Sequence, residues 1–125
     1  MESSIHPGPT ILVIFGAGGD LTWRKLVPAL YNLYVDRWMP EQFAVIGLDL
    51  KPMSDDDFRA HLRDGTSQFS RRGKADPAAW DEFAARFGIS AADFADPAAY
   101  RALAEHIEAQ EKQWNAPATH VYYLA

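Results

Sequence analysis

Cysteine is absent from these 125 residues, which rules out a disulfide framework and any thiolate-ligated metal site. A reducing, cytoplasmic compartment is the compatible expectation. No apolar run approaches the roughly 20 residues needed to cross a bilayer, and MESSIHPGP has neither the basic start nor the apolar middle of a signal peptide. A soluble chain that does not engage a membrane is expected. Basic residues are scarce too: 12 Lys and Arg against 17 Asp and Glu give a net charge of −5, which argues against nucleic acid as a partner. The one basic cluster, Arg71, Arg72 and Lys74, reads as a solvated loop. His6, His61, His106 and His120 are scattered without metal-ligand spacing or a neighbouring nucleophile, so neither a metal centre nor a catalytic triad is expected.

What is present is a junction. TILVIF at 10–15 is rich in β-branched residues and has no polar face, as suits a strand covered on both sides in a parallel sheet. Gly16, Gly18 and Gly19 follow, allowing a sharp turn that brings bare backbone N–H groups against a pyrophosphate. A helix starting just beyond adds its unpaired N–H donors and the positive end of its dipole. The strict dinucleotide fingerprint wants a small residue where this chain has Leu21, so spacing alone leaves a dinucleotide site and a purely structural turn both open.

The rest of the chain alternates strand and helix, which favours an α/β, Rossmann-like, doubly wound parallel sheet with helices on both faces. The first helix should run to about residue 37 and bury Leu30, Leu33 and Tyr34. Pro28 should break it, because proline lacks the N–H and crowds the carbonyl four residues back. A second strand is read at 43–48. Ser54 with Asp57 resembles a capping box opening a helix to about Phe69, with Asp55, Asp56 and Asp57 suiting its dipole. Residues 65–76 look like an exposed connection. ADPAA occurs at 75–79 and 95–99 and reads as one helix-start device used twice, Asp at the N-cap and Pro at the first helical position. The second of those helices, 97–114, should bury Tyr100, Leu103, Ala104 and Ile107. A short strand is placed at 89–94 and a better one at 119–124. Because the chain stops on an apolar strand, it is expected to be one domain, residues 1–125, truncated at its C-terminal end.

The segment GDLTWRKLVPALYNL closely resembles the glucose-6-phosphate dehydrogenase pattern G-x-x-G-D-L-x-x-R-K-L-x-P-x-L-x-x-L. Asp20, Leu21, Arg24, Lys25, Leu26, Pro28, Leu30 and Leu33 are in register. FAVIGLDL at 43–50, SDDDFRAHL at 54–62 and HVYYLA at 120–125 continue the likeness. The resemblance implies the N-terminal coenzyme-binding part of an enzyme that oxidises glucose 6-phosphate to its lactone with NADP or NAD, in the pentose phosphate pathway. The catalytic base and the contacts of a homo-oligomer would then lie outside this chain, which alone should be inactive. The alternative is a stand-alone, non-catalytic nucleotide-binding module.

By that resemblance Lys25 binds substrate, and the coenzyme contacts are Gly16, Ala17, Gly18, Gly19, Asp20, Leu21, Asp49, Lys51, Tyr123, Leu124 and Ala125. Asp20 has a second reading as the helix cap, and Trp23 and Tyr31 read as packing aromatics. The chain departs from the family at Leu50, where NADP-using members carry an arginine for the 2′-phosphate. Asp49, an acid at the end of the second strand, suits the free ribose hydroxyls of NAD, although it lies 30 residues after Gly19. Lys51 keeps NADP open. NAD tolerance is the expectation.

Overall fold

The computed structural model describes residues 8–70 and 74–125; His6, Arg71 and Arg72 lie outside them. The elements are β1 (Thr10–Phe15), a π-helical turn (Thr22–Leu26) running into α1 (Val27–Val35), β2 (Phe43–Asp49), α2 (Asp55–Phe69), α3 (Pro77–Ala84), β3 (Phe87–Ala91), α4 (Pro97–Trp114) and β4 (Thr119–Leu124). All strand pairs are parallel, and the order is β3-β2-β1-β4. β1 and β4 therefore flank the point where the strand order switches direction, the position at which open α/β sheets take ligands at their carboxyl ends.

Strand alternation sorts the core. Ile14, Phe43, Val45 and Phe87 face Tyr31, Phe58, Leu62, Trp80 and Phe83 from α1, α2 and α3. Ile11, Val13, Ile46 and Leu48 face Leu103 and Ile107 of α4. Among the described residues, the sheet is thus covered on both faces, by three helices on one side and a single helix on the other. Phe83 is the hub of the thicker layer, with the rings of Tyr31, Tyr34, Phe43, Trp80 and Phe87 at centroid distances of 4.8–6.1 Å.

Helix starts follow the expected chemistry. Ser54 Oγ accepts from Asp57 N–H at 3.1 Å, Asp76 from Ala79 N–H at 3.0 Å and Asp96 from Ala98 N–H at 2.9 Å. Pro77 and Pro97 occupy the first helical positions. Pro28 does not break the helix: the chain stays helical through it and widens into a π turn just before it, with Val27 N–H reaching Thr22 O. An extra residue in the turn absorbs both the missing donor and the bulk of the pyrrolidine ring.

Several boundaries differ from expectation. α1 buries Val27, Pro28 and Tyr31, with Leu30 and Tyr34 half-buried; Leu33 is exposed, because the π turn rotates the following face away from strict 3.6-residue spacing. The third strand is Phe87–Ala91 rather than 89–94, since pairing Phe87 with Val45 brings an aromatic ring into the core. Residues 65–69 belong to α2 instead of a connection, and Gly65, Thr66, Ser70 and Ala75 are buried. On α4, Tyr100 and Ala104 are exposed. They line an open groove of about 410 Å³ with Phe15, Leu103, Ile107, His120 and Tyr122, where one helix is too narrow to cover the β1–β4 face.

Gly65 marks the tightest crossing. A Cβ there would lie 2.4 Å from both the carbonyl oxygen and the Cδ1 of Trp23, whose ring stacks on His61 and meets Phe69 edge-on. Helix propensity alone would make Gly65→Ala stabilising by about 1 kcal/mol. The clash with a backbone carbonyl outweighs this, so the substitution should cost a net ~1–3 kcal/mol in urea unfolding; a gain in stability would contradict the crossing.

Candidate functional site

The carboxyl end of β1 is fastened to β2 by backbone bonds. Gly16 and Ala17 N–H both donate to Leu48 O, at 2.8 and 3.1 Å. Ala17 is fully buried, and its methyl group lies so close to Gly47 that a Cβ on Gly47 would stand 2.8 Å from it. Gly16 adopts φ +82°, a conformation that L side chains rarely take, and Ala125 O would lie 3.1 Å from a side chain placed there. The last link is a pair of side-chain hydrogen bonds: Asp49 Oδ2 accepts from Gly18 N–H at 2.8 Å, and Oδ1 from Lys51 N–H at 3.3 Å.

These bonds change the reading of the glycine turn. Its four N–H groups are not bare: Gly16 and Ala17 are held by Leu48, Gly18 by Asp49, and Gly19 by Gly16 O at 3.0 Å. Trp23 is the first N–H of the helix behind the turn to find a carbonyl, Gly19 O at 3.2 Å. Among the described residues, Asp20, Leu21 and Thr22 therefore carry the backbone donors left at this edge, where the dipole is positive. The glycines supply shape and close approach.

Asp20 does not cap this helix. Its carboxylate pairs with Arg24 one turn on, with both side chains exposed, so it lies along the helix instead of over its N-terminus. A solvated pair of this kind adds little stability. Leu21 is itself exposed. Lys25 stands exposed on the π turn, and Lys51 is exposed beyond β2 next to Leu50, which is 69% exposed. Tyr123 is half-buried against the three-helix core, whereas Leu124 is exposed; Ala125 N–H continues the pairing with β1 by donating to Phe15 O at 2.9 Å.

The structure thus joins Gly16, Ala17, Gly18, Gly19, Asp49 and Ala125 in one constellation. It records no contact from Lys25 or Lys51 side chains to that group. Sequence reasoning missed Gly47, although a glycine inside an apolar strand is itself a signal of close backbone approach. Among the described residues, no three His, Asp or Glu side chains are grouped so as to hold a metal ion.

A glycine turn after β1 and an acid at the end of β2, on a parallel sheet of order β3-β2-β1-β4, define a dinucleotide-binding domain of the Rossmann class. The family described as "Glucose-6-phosphate dehydrogenase, NAD binding domain" matches residues 13–125. The chain belongs to the glucose-6-phosphate dehydrogenase family, as part of its NAD-binding domain. It is 33% identical to glucose-6-phosphate 1-dehydrogenase of Chlamydia muridarum over 117 residues, 94% of this chain and 23% of that protein. To the Bacillus subtilis enzyme it is 33% identical over 125 residues, 100% of this chain and 24% of that one. A solved glucose-6-phosphate dehydrogenase in complex with its substrate glucose-6-phosphate superposes with a TM-score of 0.86 at 27% identity, covering 96% of this chain and 25% of that one. The chain spans about a quarter of the length of these relatives.

The entry to β4 is tied to α4 by Glu111. Its Oε2 accepts from Ala118 N–H at 2.7 Å and lies 3.1 Å from His120 Nε2. The Ala118 bond, then His120, hold the Glu111 carboxyl below its ordinary value of 4.5. A lowered carboxylate pKa contributes stability that is present above the unfolded value and lost as pH falls through the folded one. Glu111→Gln should therefore lower Tm near neutrality, and the gap from the parent should close as pH falls below about 4.5; a gap independent of pH would show that the charge plays no part.

Proposed function

We propose that the intact protein oxidises the C1 hydroxyl of glucose 6-phosphate to the lactone, with hydride transfer to NAD or NADP. This chain would supply the pyrophosphate turn, the ribose reader and one substrate cation. The observation that carries the reading is the Asp49 carboxylate held at the glycine turn by Gly18 N–H. A dinucleotide suits these residues. The turn has no side chain larger than the buried methyl of Ala17, helix-start donors adjoin it, and a carboxylate ends the neighbouring strand. When bound, the nicotinamide supplies the hydride acceptor.

The roles of the protein groups follow from their chemistry. N–H groups of Asp20, Leu21 and Thr22 and the helix dipole would hold the pyrophosphate, while Gly16, Ala17, Gly18 and Gly19 let it approach the backbone. Asp49 would accept hydrogen bonds from the ribose hydroxyls and repel a 2′-phosphate, and the exposed Leu50 offers no donors for one. Lys51, next in the chain, leaves NADP usable. Lys25, a flexible cation with three donors, would grip the sugar phosphate. Tyr123, Leu124 and Ala125 would form the pocket wall near the nicotinamide. The general base, and the contacts of a homo-oligomer, would come from residues outside this chain. Cytoplasmic work in the pentose phosphate pathway accords with this reading.

In the intact enzyme, Lys25→Ala should raise KM for glucose 6-phosphate and lower kcat/KM by about 10- to 150-fold, since a charge-assisted phosphate contact is worth on the order of 1.5–3 kcal/mol. An unchanged kcat/KM with the fold intact would make Lys25 a surface lysine. For the coenzyme, the native enzyme should use NAD at least comparably to NADP, and Asp49→Ala with Leu50→Arg should shift the ratio of kcat/KM values toward NADP. A native enzyme that already strongly prefers NADP, and a double variant that leaves this unchanged, would remove Asp49 from the role of ribose reader.

A further inference from the structure

The outer edge of β3 is occupied by side chains in a specific way. Val45 N–H donates to Arg86 O at 2.8 Å and Ala92 N–H to Asp49 O at 2.9 Å, so the even-numbered residues of this segment bond to β2. In a parallel ladder the alternate residues, Phe87, Ile89 and Ala91, then present their N–H and C=O groups outward. Two of these outward groups are engaged by α2. Asp55 Oδ1 accepts from Ile89 N–H at 2.9 Å, and the Arg59 guanidinium donates to Phe87 O through Nε at 3.0 Å and Nη2 at 2.7 Å.

The pattern matches a strand. One residue of a parallel neighbour placed opposite Gly88 would donate its N–H to Phe87 O and offer its C=O to Ile89 N–H. The Asp55 carboxylate also lies beside Gly88, its Oδ1 3.6 Å from where a Cβ on that residue would stand. Asp55 and Arg59 are four residues apart on one face of α2, so a single helical turn delivers the acceptor and the donor together.

We infer that Asp55 and Arg59 form an edge guard, an imitation of one strand residue that keeps β3 from pairing with β3 of a second copy of this chain. A strand edge with open N–H and C=O groups is a template for self-association, and β3 is short with Gly88 at its centre. Only a partner able to displace both side chains can add there.

The test removes the guard and then removes the edge donor it covers. In the 125-residue chain, Asp55→Ala with Arg59→Ala should raise the self-association constant at least about tenfold in sedimentation, as two strong backbone partners become available. Adding Ile89→Pro, which deletes an outward N–H without touching a β2 bond, should return the constant to the parent value. With no native cysteine to interfere, a spin label on Ala91→Cys should report short distances between copies only in the guardless chain. Should the double variant not fold, Asp55→Ala alone is compared with Asp55→Asn, which keeps an acceptor: the first should associate and expose Ile89 N–H to hydrogen exchange, the second should do neither. Parent-like association in the folded guardless chain, association that survives Ile89→Pro, or equal behaviour of the two single variants would each overturn the guard.

Discussion

The structure depends on how closely the turn after β1 is pressed onto the end of β2. Leu48 O takes two successive N–H groups, Gly47 has no side chain to hold Ala17 off, and Asp49 reaches back to Gly18. These three contacts come from consecutive residues of one central strand. The shape of the candidate coenzyme site is consequently set by the sheet rather than by a mobile loop, which is the condition for placing a polar group to within fractions of an ångström. It also means that the backbone donors left open at this edge belong to the first residues of the helix and not to the glycines.

A second constraint shapes that helix. Pro28 cannot donate and crowds the preceding turn, and the chain answers with the π turn Thr22–Leu26. The widened turn sets the Trp23 carbonyl against α2, where only Gly65 leaves room. Lys25 thus stands on a segment whose geometry is fixed by a proline on one side and a glycine from another helix on the other. Tyr34, half-buried beside Glu82 at the far end of α1, has its hydroxyl pKa pushed up to about 12, desolvation being the main cause and Glu82 the next.

The two outer strands are secured by charged side chains in different ways. Glu111 holds the entry to β4 through Ala118 N–H, while Asp55 and Arg59 close two of the outward groups of β3. In each case a side chain on a helix reaches a backbone partner that the sheet leaves unsatisfied. The acids of the first turn of α2 therefore do more than complement its dipole.

The sequence by itself determined the alternation of strands and helices, the caps at Ser54, Asp76 and Asp96, a helix irregularity at Pro28 and the turn after Phe15, because each rests on local chemistry of a few adjacent residues. It also held the family likeness, since Asp20 to Leu33 is a contiguous pattern. Only the tertiary structure decided that Asp49 binds Gly18 across 31 positions of chain, that Gly47 and Gly65 are sites of close approach, and that Asp20 pairs with Arg24 instead of capping. The same holds for β3 beginning at Phe87 and for Leu33, Tyr100 and Ala104 lying exposed. The physical reason is common to all of them. Periodicity tells which residues share a face, but which face is covered, and which buried donor meets which acceptor, depends on elements distant in sequence that come together only when the sheet has formed.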